Sequence, residues 1–359
     1  MNAMLLCAGL GTRFRPHTLK MAKPTIPFLT VPIMAYSIYL LEQLALKNLV
    51  INTHHLPHVV ENTGSRLTKG QNYKTSFSPE PGEILGSGGG IQRAHNLLIQ
   101  SDIVQNQLEN SKESDDDFVV INGDELILFN HEYGIKPLID FHKKNKAIAT
   151  LLTTKHPQAG LEFGGVWSKN GSITRLGEKA TDSQDALAAE HFTGVFIFSK
   201  RIFDIIPTAG PSHIFKDGII PAMQKGETVL SFCDPELTWM DTSSETTYIE
   251  STHMALTILK NKSSKEAQLR STLARFGKKF EQVAPGKFFC SGAKYEGNLN
   301  SEKTLFMGRN SIIHNTVSVR GFCVVGDGTH VHNGVIEDSV IDHGLHIHEM
   351  LSLRRQLLV

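Results

Sequence analysis

Within its first two dozen residues the chain sets Gly9, Gly11, Arg13 and Lys23 behind a short apolar run, in "MLLCAGLGTRFRPHTLKMAKPTIPF". Glycines let backbone N–H groups come close to phosphate oxygens. Arg13 adds a planar cation that never loses its charge, and Lys23, just before Pro24, adds a second. A triphosphate suits this set, whereas a neutral sugar does not require it. Two general phosphate motifs fail at this spacing. No Gly-Lys-[Ser/Thr] follows, and Gly11 has Thr12-Arg13-Phe14 after it where a dinucleotide fingerprint needs a third glycine. Taken alone, Gly9 and Gly11 also suit a plain turn from strand to loop.

These residues need a scaffold, and the first half of the chain supplies an alternating one. Residues 3–8, 49–54, 74–78, 116–124 and the segment "AIATLLTT" read as strands. Residues 33–46, the segment opened by "GGIQRAHNLLI" and "PLIDFHKKN" read as helices. The alternation predicts an α/β fold: a Rossmann-like mixed, mostly parallel sheet with helices on both faces and ligands at the carboxyl ends of the strands. The acidic run at 109–117 reads as a solvated loop. Residues 1–255 are expected to form the catalytic domain, 256–285 a linker helix, and 286–359 a short β-helical domain.

The tail is read from its period. Ile313, Val319, Val325 and Val331 stand six residues apart, as do Val335, Ile341 and Ile347 after a phase shift. Neither a helix nor a flat strand places an aliphatic at every sixth position. A hexapeptide-repeat, left-handed β-helix of two or three coils does, because each unit is one short strand plus a corner.

Composition narrows the class. Lys+Arg and Asp+Glu are both 36, so the formal charge is zero, which argues against a nucleic-acid partner. Cys7, Cys233, Cys290 and Cys323 lie far apart, which predicts reduced thiols. No run approaches the ~18 apolar residues of a membrane span, so the chain is expected to be cytoplasmic, with no membrane partner. The histidine-rich stretches at 52–58 and 342–350 read as surface rather than metal ligands.

"AGLGTRFRPHT" followed by Lys23-Pro24 resembles the opening of the sugar-1-phosphate nucleotidyltransferases, most of all their mannose-1-phosphate guanylyltransferase and NDP-sugar synthase branch. "EILGSGGGI", "VINGD", "EFGGV", "LGEKA", "HFTGVFIFS" and "WMDTSSETTYIES" resemble further blocks in the family's order, over roughly residues 1–255. The resemblance implies that a sugar-1-phosphate oxygen attacks the α-phosphorus of an NTP and releases pyrophosphate. Gly9, Gly11 and Thr12 would then cradle the triphosphate, with Arg13 stabilising the leaving pyrophosphate and Lys23 bridging the α-phosphate and the incoming phosphate. Asp124 and Asp241 would hold Mg²⁺, which prefers few protein ligands plus substrate phosphates. Leu6, Ala8, Glu83, Gly88 and Gly89 would meet the base. Gly164, Glu178, Lys179, Thr193 and Gly194 would meet the sugar phosphate.

Three positions depart from the family pattern: Ala22, Ala180 and Thr242-Ser243-Ser244. None removes a charge the reaction needs, but all border the substrate loops. The expected activity is GDP-mannose-type synthesis from GTP and mannose 1-phosphate. Uridylyl, thymidylyl or cytidylyl transfer to another sugar 1-phosphate, such as a muramate derivative, is the alternative. A non-catalytic regulatory subunit of the same architecture is the alternative of another class. The short tail is expected to support a homo-oligomer.

Overall fold

The computed structural model describes residues 1–99 and 117–359. The acidic run at 109–117 lies outside the described residues except for Asp117, which opens a strand. The chain divides into two compact units built from interleaved segments. The first takes Met1–Leu10, Ser37–Ile127 and Tyr133–Trp239; the second takes Gly11–Tyr36, Leu128–Glu132 and Met240–Val359.

The first unit is a nine-stranded sheet. Its elements in chain order are β1 (Asn2–Leu6), α1 (Met34–Glu42), β2 (Asn48–Thr53), α2 (Pro57–Leu67), β3 (Lys74–Pro79), α3 (Gly86–Arg93) and α4 (His95–Ile99). After these come β4 (Asp117–Asn122), α5 (Lys136–Asn145), β5 (Ala149–Thr154), β6 (Gly165–Lys169), β7 (Ser172–Glu178) and α6 (Ser183–Ala188). β8 (His191–Ser199), α7 (Ile220–Gln224) and β9 (Val229–Cys233) complete it, and the strand order is β3-β2-β1-β4-β8-β5-β9-β7-β6. Only β7 and β8 run against the rest, so the sheet is mixed but mostly parallel. The inner strands read as unbroken apolar runs because both their faces are covered. Ala3, Met4, Leu5, Leu49, Val50, Ile51, Val119, Val120 and Ile121 are all fully buried. β1, β2 and β4 lie in register, Leu6 pairing with Asn52 and Asn122. Their carboxyl ends therefore finish side by side.

The second unit carries the tail. Where one linker helix is expected over 256–285, the chain forms the end of α8 (Glu245–Lys260), then α9 (Ser264–Arg275), then the strand Phe280–Ala284. Ser244 caps α8, and its side chain and Thr247 form a reciprocal capping box.

Beyond α9, three ladders of short parallel strands stack. In one, Leu305 pairs with Lys287 and Cys323, and Cys323 with Ser339. In the second, Tyr295, Ile313, Val331 and Ile347 follow one another. In the third, Val319, Ile336 and Leu353 do. Most rungs are about 18 residues apart, three hexapeptides per coil, and the second ladder has four rungs rather than the two or three expected. The column Ile313, Val319, Val325, Val331 and Ile341 is buried as the period predicts. Val335 is a correction: it is only half-buried, while its neighbour Ile336 is fully buried. The ladder explains the slip, since Val319 pairs with Ile336 and Val325 with Ile341, and a register shift between the two pairs sets five residues on one strand against six on the other.

Candidate functional site

β1, β2 and β4 end around one cavity of about 240 Å³, lined by Leu6, Ala8, Gly9, Asn52, Ile84, Gly86, Ser87, Asn122 and Asp124. Four expected residues (Leu6, Ala8, Gly9 and Asp124) thus meet here. The floor is set by a chain of hydrogen bonds. Asn52 Oδ1 accepts from Cys7 N–H at 2.7 Å, and Asn52 Nδ2 donates to Glu80 Oε1 at 2.7 Å. Glu80 Oε2 accepts from Leu85 N–H at 3.0 Å. The buried Glu80 carboxylate is therefore spent on holding β2 to the turn before α3. Cys7, beneath the cavity, is fully buried, and burial together with the nearby Asp124 charge pushes its thiol well above the ordinary range. It is not a nucleophile.

The glycine-rich stretch behaves differently from its expected role. Gly86 and Ser87 line the cavity, but Gly88 and Gly89 are buried in α3. A Cβ on Gly88 would lie 2.7 Å from Ser212 Oγ, and one on Gly89 would lie 3.0 Å from Gly210 O. Both glycines serve the close packing of α3 on residues 210–214. Glu83 is exposed and does not line the cavity.

Asn52 and Asn122 lie outside the expected set, whereas Ile84, Gly86 and Ser87 belong to the stretch "EILGSGGGI" expected at the base. A signal existed for both: an asparagine at the carboxyl end of a buried strand, where α/β folds place their ligands. "NTHHLPH" thus contributes its asparagine to the cavity. His54 is turned away to Glu80 O, 2.8 Å distant.

Next to Asp124 lies a further missed residue. Glu125 is buried, and its carboxylate accepts from Asn122 Nδ2 at 2.8 Å and Trp239 Nε1 at 2.6 Å. Gly194 packs against this carboxylate, leaving no room for a Cβ. His191 lies 4.1 Å from Trp239 by ring centroids, with His156 and Phe163 completing the cluster. Thr193 is fully buried and donates to Leu152 O at 2.9 Å, so only its backbone is available.

On the β6–β7 hairpin, Gly164 lies against Gly177. Lys179 Nζ clasps the carbonyls of Leu161 and Glu162 at 2.5 and 2.6 Å, and Glu178 is exposed and pairs with Arg175 at 3.3 Å.

In the second unit Gly11 has a φ of 61°, a left-handed conformation that favours glycine. Its carbonyl accepts from Thr18 Oγ1 at 2.8 Å, and its Cα faces Lys23 Cβ. The loop thus folds back on itself and brings Gly11 to Lys23. Thr12 and Arg13 are exposed and Lys23 is half-buried. Asp241 accepts from Ser243 N–H at 2.7 Å and Ser243 Oγ at 2.9 Å, while its own carbonyl accepts from Ser251 Oγ.

Each carboxylate oxygen of Asp241 keeps a second lone pair after these bonds. Asp241 and the cavity-lining Asp124 are hard oxygen donors of the kind Mg²⁺ takes. Among the described residues no group of three or more His, Cys, Asp or Glu is arranged to hold a metal by itself.

Residues 2–257 match the model of the family described as nucleotidyl transferase. The chain belongs to that family. Among its relatives, a UTP–glucose-1-phosphate uridylyltransferase of Synechocystis sp. is 28% identical over 95% of this chain and 82% of its own length. A mannose-1-phosphate guanyltransferase of Yarrowia lipolytica is 28% identical over 73% of this chain and 66% of its own. Among solved structures, HddC from Yersinia pseudotuberculosis aligns with a TM-score of 0.53 at 18% identity, over 70% of this chain and 98% of that one. That last likeness bears on the fold alone.

Proposed function

We propose that this nucleotidyl transferase family member joins an NTP to a sugar 1-phosphate, giving an NDP-sugar and pyrophosphate, with GTP and mannose 1-phosphate as the first pair to test. The observation that carries the reading is the cavity at the ends of β1, β2 and β4, with Asp124 on its wall and Leu6, Ala8 and Gly9 beside it. A base lies flat against such a backbone, and the pinned amide of Asn52 fixes the floor beneath it.

The nucleophile is already an anion, so the chain need not supply a general base. Its task is to bring two anions together and to stabilise charge on the α-phosphate and leaving group. Gly9, Gly11 and Thr12 take the phosphates by backbone N–H groups. Arg13 meets the leaving pyrophosphate, and Lys23 meets the α-phosphate and incoming phosphate. Asp124 and Asp241 each offer a carboxylate to Mg²⁺, which when bound supplies Lewis-acid stabilisation of phosphate charge. Gly164, Glu178, Gly194 and the backbone of Thr193 face the sugar phosphate in this reading, and Lys179 holds the carbonyls of Leu161 and Glu162 beside them. Self-association through the β-helical tail belongs to it too, and a monomeric mass by light scattering at micromolar concentration would remove that part.

A second pair, UTP and glucose 1-phosphate, is favoured by the Synechocystis relative, whose similarity extends through the tail. The test is pyrophosphate release with Mg²⁺ across five NTPs and a panel of sugar 1-phosphates. Release with GTP and mannose 1-phosphate alone upholds the first pair, and release with UTP and glucose 1-phosphate alone upholds the second. Silence across the grid from folded protein that still binds NTP favours a regulatory subunit.

A further inference from the structure

The loop that carries Arg13 and Lys23 belongs to the same compact unit as the β-helical tail. The link between them is α8, and its first residue carries most of the weight. Glu245 Oε1 accepts two hydrogen bonds, one from His17 Nε2 at 3.2 Å and one from Leu357 N–H at 2.8 Å. His17 lies in the loop, four residues after Arg13. Leu357 lies on the last rung of the tail, paired with Val340. One carboxylate oxygen therefore joins the loop to the end of the β-helix.

An acidic residue in the first turn of a helix has a plain explanation, the favourable field of the helix N-terminus. Here capping is already provided by Ser244 and Thr247, and the Glu245 carboxylate turns outward to His17 and Leu357. The loop is also held apolarly at the same place. Phe14, fully buried, meets the His17 ring edge-on at 5.6 Å and the Tyr248 ring edge-on at 5.6 Å. Tyr248 Oη donates to Pro27 O at 2.5 Å, and Phe28 packs against its ring. Further along α8 the tail attaches again, through Arg355 to Glu250 at 3.2 Å and through Phe322 stacked on His253 at 5.6 Å.

We propose that Glu245 and His17 are positioning residues that tie the last rung of the tail to the Arg13–Lys23 loop, so that the tail sets the enzyme's hold on the NTP. The proposal rests on the nucleotidyltransferase reading for its kinetic consequence, though not for its structural one. A positioned cation gains more from a phosphate than a mobile one, because the ordering has been done before binding.

The experiment compares full-length His17→Ala, His17→Gln, Glu245→Ala and Leu357→Pro with the parent, after circular dichroism shows a native spectrum. Two quantities are read: hydrogen exchange of the amides of residues 12–20, and the KM values for NTP and for sugar 1-phosphate. In His17→Ala, Glu245→Ala and Leu357→Pro, loop exchange is expected to rise at least tenfold. KM for NTP rises about tenfold in these variants, while KM for the sugar phosphate stays within twofold. His17→Gln keeps an N–H donor near the Nε2 position and restores both quantities.

Unchanged loop exchange in Glu245→Ala and Leu357→Pro overturns the proposal, as does equal damage from His17→Gln and His17→Ala. If Leu357→Pro unfolds the tail, Glu245→Ala decides in its place, because it removes the acceptor oxygen and leaves the tail backbone intact. If the parent itself releases no pyrophosphate from any NTP, the nucleotidyltransferase reading fails, and loop exchange alone still decides the coupling.

Discussion

The sheet unit and the β-helical unit are both built from parallel strands, yet they hold their functional groups in opposite ways. In the first, strands of five or six residues end together, and the side chains after them hang into one cavity. Their geometry is pinned by buried amides such as Asn52 and carboxylates such as Glu80 and Glu125. In the second, the coils present no such shared end, and the chemistry-bearing residues sit on a loop that must be fastened from outside. The difference teaches where tolerance to change lies. A site made by strand ends is disturbed by changes to its own floor, whereas a loop site is disturbed by changes to whatever fastens it.

The sharpest way to break this contrast is at the two carboxylates. Asp124→Ala and Asp241→Ala are each expected to lower kcat at least ~100-fold while leaving the melting temperature within a few degrees, the loss typical of removing a transition-state charge stabiliser. Pyrophosphate release with Mg²⁺ measures it. Near-parental activity in one variant would confine the reaction's carboxylate chemistry to the other unit.

Next in size are core truncations. Ile313 and Ile121 are both fully buried, one in the coil column and one in β4. Ile→Ala at either site should cost about 2–5 kcal/mol, from lost burial and the cavity left behind. Calorimetry of Ile313→Ala should show an early transition of the second unit with the first still folded. A single shared transition in both variants would mean that the units melt as one.

A smaller effect is expected at Asn52. Asn52→Ala removes the partner of Cys7 N–H and of Glu80 Oε1, at a cost of about 1–3 kcal/mol for an orphaned buried group. It should raise KM for NTP several-fold, with kcat little changed. An unaltered KM would detach the floor of the cavity from nucleotide binding.

The smallest effect is one of pH. His314, His332 and His348 stack on successive rungs with ring centroids 4.2 Å apart. Desolvation, and then the like charges of His314, His348, His330 and His346, hold the His332 imidazole below its usual 6.5. The fold thus prefers the neutral ring, and the unfolded chain binds the proton more readily. That contribution is complete above about pH 6.5 and is lost as pH falls through the lowered value. The tail should melt lower at pH 5.5 than at 7.5, and His332→Gln should flatten the dependence. An identical pH slope in that variant would acquit the stack.

Much of the first unit was legible in the sequence. Strands buried on both faces leave long apolar runs, and "VINGD" and "MLLCAGLG" mark the points where a strand gives way to residues that line the cavity. The six-residue period exposed the tail for the same reason: one burial rule repeated. Legibility failed where a residue's duty is set across the chain. Gly88 and Gly89 look like ligand-facing glycines until Ser212 and Gly210 are brought against them. Lys179 looks like a free cation until the carbonyls of Leu161 and Glu162 arrive. Val335 keeps the period in sequence, but a register shift in the ladder hands its place to Ile336. Glu245, read from sequence alone, is an ordinary first-turn acid.

The interleaving of the two units has a consequence for synthesis. Gly11–Tyr36 is made before most of the sheet, yet its partners, α8 and the coils, follow hundreds of residues later. At ~5–20 residues per second this loop waits for tens of seconds without its final neighbours. The sheet, complete once Trp239 has emerged, can fold in the interval. The cavity can thus form before the loop that carries Arg13 and Lys23 meets α8 and the coils.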